Sequence, residues 1–189
     1  RILDALQKSG QADNTWIFFT ADHGLAVGHH GLFGKQNMYD HSLRVPFMVV
    51  GPDVKAGQRI DSPIYLQDVM ATSLELAGAD KPEQVEFHSL LPLLRGEDSP
   101  AERDSIYGAY LQLQRAVIHD GWKLIAYPKA RVLRLYNLTE DPLEMNDLSD
   151  DAQHAARKQA LFERLLAMQN DLEDDLNLKT AFVDRDQSE

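Results

Sequence analysis

An acid, an imidazole and a glycine stand in direct succession at Asp22-His23-Gly24, and an ammonium group follows at Lys35. A carboxylate oxygen beside an imidazole nitrogen suits a divalent cation such as calcium, magnesium, manganese or zinc. Two ligands do not complete such a site, so further carboxylates must come from elsewhere in the fold. A plainer role is also open, with Asp22 capping the turn that follows and His23 a packed polar residue. Lys35 comes directly after Gly34 in a glycine-punctuated stretch. There it fits a tetrahedral oxyanion held near a metal, and it equally fits an ordinary solvated lysine. His29, His30 and His41 share the stretch. Each has the chemistry of a general acid that protonates a leaving group, and each also suits a supporting or structural place. Arg44, just before Val45-Pro46, reads as a structural ion pair. His119 reads as a turn residue beside Asp120-Gly121, and His88 and His154 as surface residues.

The elements around these residues follow from the apolar pattern. Trp16-Ile17-Phe18-Phe19 feeds directly into the acidic end and reads as a buried strand, being aromatic and β-branched. Chemistry at the C-terminal end of a buried strand is where an open α/β sheet places its site. The intervening loop, residues 21–45, is long enough to be functional and carries one helical turn near 38–42. A second apolar strand, 46–50, follows and ends at Gly51-Pro52. Residues 1–9 read as the end of an amphipathic helix stopped by Ser9-Gly10. Residues 67–77 read as a helix with Val69, Met70, Leu74 and Leu76 on its apolar face, closed by Gly78. A short helix spans 89–94.

The charged segment 97–102 marks a boundary. Residues 1–100 form an α/β part, and 101–189 a smaller antiparallel part. Beyond the boundary come four strand-like runs, 105–110, 114–119, 122–127 and 132–136, with Asp120-Gly121 as a hairpin turn. A polar loop, 137–150, leads to a helix over 152–172 and an acidic tail.

Composition limits the partners. The 189 residues carry 30 Asp+Glu against 19 Lys+Arg. This argues against nucleic acid or an anionic membrane as the main partner, although one cationic pocket for an anion remains compatible with it. There is no cysteine, hence no disulfide framework and no thiolate metal site. No apolar run approaches the ~20 residues that span a bilayer, and no compartment is indicated. The opening at Arg1, directly in a helical pattern, reads as a piece of a longer polypeptide.

Three stretches carry a resemblance. Thr20-Ala21-Asp22-His23-Gly24 is the first. Gly28-His29-His30-Gly31-Leu32-Phe33-Gly34-Lys35 is the second. Met38-Tyr39-Asp40-His41-Ser42-Leu43-Arg44-Val45-Pro46-Phe47-Met48-Val49 is the third. Together they resemble the second half of type I sulfatases, members of the alkaline phosphatase superfamily. Leu135-Tyr136-Asn137-Leu138-Thr139-Glu140-Asp141-Pro142-Leu143-Glu144-Met145-Asn146-Asp147-Leu148 is similar to that family's C-terminal segment.

The resemblance implies the C-terminal part of an alkaline-phosphatase-like α/β/α sandwich, followed by a small four-stranded antiparallel sheet with a packed C-terminal helix. It implies that Asp22 and His23 bind a divalent cation, usually calcium. Histidine at 23, where many relatives carry asparagine, opens the choice to manganese, magnesium or zinc. It implies that Lys35 contacts the sulfate oxygens and acts in catalysis, and that His30 lies among the substrate-binding positions. The substrate would be a sulfated small molecule or saccharide.

One departure matters. The family's nucleophile is a formylglycine made from Cys or Ser in a C/S-x-P-x-R motif. The nearest stretch here, Ser99-Pro100-Ala101-Glu102-Arg103, has its proline one place too early. The nucleophile and the remaining metal ligands are therefore expected in an N-terminal part of the same polypeptide, and the segment alone is expected to be inactive. Two rivals stay open. One is a phosphonate monoester or phosphodiester hydrolase on the same scaffold. The other is a non-catalytic fragment.

Overall fold

The computed structural model describes residues 1–99, 101 and 103–183, with only the backbone at Val183. In chain order the elements are α1 (Ile2–Lys8), β1 (Ile17–Phe19), β2 (Ala26–Val27), β3 (Phe33–Gly34), α2 (Asp40–Leu43), β4 (Met48–Val50), α3 (Asp68–Leu76), α4 (Leu91–Arg95), β5 (Ser105–Tyr110), β6 (Gln114–His119), β7 (Trp122–Tyr127), β8 (Val132–Asn137), α5 (Ala155–Asp171) and α6 (Leu178–Val183). They form two compact units. The first is Arg1–Asp22 with Val45–Arg103, and the second is His23–Arg44 with the chain from Asp104 onward. Residues 23–44 therefore pack with the C-terminal sheet, although they precede β4 in the chain.

In the first unit β1 and β4 pair antiparallel, Ile17 opposite Val50 and Phe19 opposite Met48. The expectation of a buried strand at 16–19 is corrected here. Trp16, Ile17 and Phe18 are only half-buried, and Phe19, Met48 and Val50 are 57%, 56% and 62% exposed. A two-stranded ribbon buries a face only where another layer lies on it, and the described residues place none over that side.

The helix expected at 67–77 forms as α3, but its buried side is Asp68, Ala71 and Thr72, while Met70 is exposed. Asp68 explains the difference. Its fully buried carboxylate takes both arms of Arg103 at 2.8 and 2.9 Å and the backbone amides of Tyr65 and His88. A carboxylate with four donors can be buried where an unpaired one could not. Gly78, at φ 64, closes α3 with its own amide on Glu75 and that of Ala79 on Leu74, the paired bonds of a left-handed helix stop.

The second unit is built on the antiparallel meander β5-β6-β7-β8. Asp120 (φ 49) and Gly121 (φ 72) make the two-residue turn that sets His119 opposite Trp122. Successive side chains on a strand point to opposite faces, and both faces of this sheet are covered. Val117, Leu124, Ala126 and Leu135 meet Leu161, Phe162 and Leu165 of α5 and Leu178 of α6. Ala116, Ile125 and Tyr136 meet Met38 and Tyr39. The long loop is thus the second cover of the sheet. This is why β6 and β7 read as nearly continuous apolar runs rather than as an apolar/polar alternation.

Candidate active site

Three left-handed residues turn the loop back on itself. Gly28 (φ 108), His30 (φ 55) and Gly31 (φ 70) join β2 to β3, with the Gly28 amide donating to Leu32 O at 2.9 Å. Glycine adopts these angles without a Cβ penalty, and histidine is among the side chains that tolerate them. The short hairpin returns the chain so that Lys35 Nζ lies 2.5 Å from His23 Nε2. His23 Nδ1 lies 2.8 Å from Gly24 O. A carbonyl only accepts, so Nδ1 carries the proton and Nε2 presents its lone pair. That is the state in which an imidazole ligates a metal.

Gly24 fits where no other residue would. A Cβ there would stand 1.9 Å from His41 O, and the Gly24 amide donates to Ser42 O at 2.9 Å. The turn α2 therefore abuts the backbone beside His23.

His30, which the resemblance places among the substrate-binding positions, lies stacked on Tyr39 with ring centroids 4.0 Å apart. His41 completes a ring cluster, 5.8 Å from His30, 6.0 Å from His29 and 5.7 Å from Tyr39. Burial, and then the neighbouring His30 and His29, hold the His41 imidazole below its ordinary range. Arg44 pairs with Asp40 at 3.8 Å, as its sequence position suggested. Asp22 is exposed and is bonded through its carbonyl to His23, where the two units meet in the chain. His154 is not free on the surface, because its ring packs 5.2 Å from that of Trp122.

Of the Ser99–Arg103 stretch, Pro100 and Glu102 lie outside the described residues. Arg103 is committed to Asp68.

Sequence reasoning missed one charged cluster. Lys123, in the middle of β7, is 0% exposed, with its Nζ 2.5 Å from Asp40 Oδ1 and 2.6 Å from Glu144 Oε1. Glu144 is also buried and accepts the Asp40 amide at 2.7 Å. Burial raises the Glu144 carboxyl above its usual range, and Lys123 opposes that shift. A signal was present, since a lysine inside Trp122-Lys123-Leu124-Ile125-Ala126 needs a partner if the strand is buried on both faces.

Among the described residues no three His, Asp or Glu side chains gather as a metal cage. The oxygen and nitrogen donors of Asp22 and His23 fit two positions of a divalent-cation site and no more.

Comparison with known proteins gives the family. Residues 28–171 match the family described as N-sulphoglucosamine sulphohydrolase, C-terminal. The chain belongs to this family. It corresponds to the C-terminal portion of a sulfatase and has the matching alkaline-phosphatase-like architecture. The Arylsulfatase K of Xenopus laevis is 30% identical over 162 residues, 78% of this chain and 30% of that protein. The N-acetylglucosamine-6-O-sulfatase of Bacteroides thetaiotaomicron is 31% identical over 186 residues, 92% of this chain and 33% of its own length. A solved structure in complex with its substrate D-glucosamine-2-N,6-O-disulfate superposes with a TM-score of 0.79 at 30% identity, covering 93% of this chain and 38% of that one. The chain thus spans about a third of the relatives it matches.

Proposed function

We propose that this chain supplies one side of a sulfatase active site and that the polypeptide carrying it hydrolyses sulfate esters of saccharides. The contact between Lys35 Nζ and His23 Nε2 carries the reading. It sets a cation donor beside an imidazole whose lone pair is presented, next to Asp22. An anion with tetrahedral oxygens fits that combination. A relative described as an N-acetylglucosamine-6-O-sulfatase and a solved structure in complex with its substrate D-glucosamine-2-N,6-O-disulfate support a sulfated amino sugar as the substrate class.

Within the reaction, Lys35 donates hydrogen bonds to a sulfuryl oxygen and offsets the negative charge that grows there as the ester bond breaks. The Gly24 carbonyl keeps the His23 proton on Nδ1, which leaves the Nε2 lone pair to accept from Lys35 or, with a cation bound, to serve as its ligand. Asp22 and His23 would hold a divalent cation, most simply calcium and otherwise manganese, magnesium or zinc, which when bound supplies Lewis-acid polarisation of the sulfate oxygens. The nucleophile, a formylglycine in this reading, comes from the N-terminal part of the same polypeptide, so the segment alone is inactive.

The full-length protein should release inorganic sulfate from glucosamine 6-sulfate. Chelation should stop the release, and an added divalent cation should restore it. Cleavage of a phosphonate monoester or a phosphodiester with no release of sulfate would transfer the site to the phosphonate monoester or phosphodiester reading. Release of neither would favour a non-catalytic module.

A further inference from the structure

We infer that Lys123, clasped by Asp40 and Glu144, is a positioning residue that ties the loop bearing His23, His30 and Lys35 to the four-stranded sheet. The inference rests on the sulfatase reading only for its effect on turnover, because the mechanical part stands on geometry alone.

The helix α2 is a single turn, and its N-cap residue Tyr39 gives it no side-chain hydrogen bond. Glu144 takes that place from 104 positions away, accepting the first helical amide, that of Asp40. Its other oxygen faces Lys123 Nζ, which also holds Asp40 Oδ1. One buried ammonium therefore closes a ring of contacts through β7, the 137–150 loop and α2. Glu144 reaches it from a left-handed backbone conformation, φ 57, which costs a non-glycine residue energy and persists only where the surroundings hold it.

From α2 the contacts run in two short steps to the site. Tyr39 carries His30 on its ring face. The carbonyls of His41 and Ser42 meet Gly24, whose own carbonyl sets the His23 tautomer. Tyr39 Oη is a further 3.3 Å link to Tyr136 Oη on β8. All of these residues belong to the second compact unit. A rigid ion cluster at one end of such a path and the reacting groups at the other is how a distant side chain sets the geometry of a site.

The test compares three variants of the full-length protein by hydrogen exchange of the 23–44 amides, by melting temperature, and by kcat and KM for sulfate release. Lys123→Met removes the ammonium. Glu144→Gln keeps an oxygen for the Asp40 amide but turns an N–H pair toward Lys123. Leu161→Ala opens a cavity on the α5 side of the sheet and serves as the control for simple destabilisation.

Lys123→Met is expected to speed exchange at Gly24 and Tyr39–Leu43 by about ten-fold or more beyond the control. It is also expected to lower kcat by about ten- to a hundred-fold with little change in KM, because the reacting groups are misplaced while the anion still enters. Glu144→Gln should move the same quantities in the same direction by less, and it decides the matter if Lys123→Met does not fold. Exchange over 23–44 that is no faster in Lys123→Met, or in its absence Glu144→Gln, than in Leu161→Ala overturns the inference. If the unaltered protein releases no sulfate, the functional reading fails on that count alone, and the exchange comparison still decides whether Lys123 holds the loop.

Discussion

Two lysines in the same compact unit have opposite surroundings. Lys35 is exposed on a glycine-bounded hairpin and touches one imidazole, whereas Lys123 is fully buried on strand β7 between two carboxylates. An exposed ammonium stays hydrated and keeps donors available for an incoming anion. A buried one has exchanged its water for fixed partners and holds structure instead. In the proposed reading the contrast separates chemistry from support, and each of the following changes sharpens it or breaks it.

The largest effect is expected at Lys123. Lys123→Met leaves Asp40 and Glu144 without their buried cation, only the exposed Arg44 remaining near Asp40 at 3.8 Å, and breaking a buried pair from one side costs about 3–5 kcal/mol. Chemical denaturation of the variant measures it. A loss below about 1 kcal/mol would place Lys123 with ordinary surface pairs and remove the contrast.

The same unit holds a second ion pair, between Arg115 and Asp174 of the segment that joins α5 to α6. Arg115 makes a two-point contact with Asp174, at 2.6 and 2.9 Å, and Tyr107 adds a third bond to that carboxylate. These bonds, Arg115 foremost, hold the Asp174 carboxyl well below the usual carboxylate range. A depressed folded value means stability that is fully present above the unfolded pKa, about 3.9, and lost as pH falls toward the folded one. Asp174→Asn should therefore cost about 2 kcal/mol near neutral pH. The gap to the unaltered protein should persist down to about pH 4 and close only in stronger acid. Exchange over 23–44 should stay unchanged in this variant, in contrast to Lys123→Met.

A smaller change acts on the path between the two lysines. Gly24→Ala places a Cβ against the His41 carbonyl. Backbone on both sides must shift, at a cost of about 1–3 kcal/mol, and sulfate release should fall more than this loss of stability accounts for. Unaltered turnover would show that the close approach at Gly24 does not set the site.

How much of this could be read from the sequence differed between the two lysines for a physical reason. Asp22, His23 and Lys35 lie in or beside a loop whose length suggested a function, the family resemblance gave them their expected roles, and the structure brings His23 and Lys35 together. The strands at 105–137 were legible because turn chemistry is local, Asp120-Gly121 being sufficient to mark a hairpin. Lys123 was not, because its partners lie 83 positions before it at Asp40 and well after it at Glu144, and no local period reports a contact of that range. The exposure of Phe19, Met48 and Val50 was missed for the same reason, since an apolar run shows what a strand could bury and not what covers it. In α3 the apolar period named Met70, whereas Asp68 and its donors set which side faces inward.

The smallest expected effect on stability is the most telling about function. Lys35→Ala should change the unfolding free energy by no more than about 0.5 kcal/mol, as exposed substitutions do. In the full-length protein, kcat for sulfate release and the unfolding midpoint should be measured together on this one variant. The account predicts a fall in kcat of about a hundred- to a thousand-fold with the midpoint unchanged. Turnover retained within about two-fold would contradict the assignment of Lys35 to the reacting anion, and with it the site built on Asp22, His23 and Lys35.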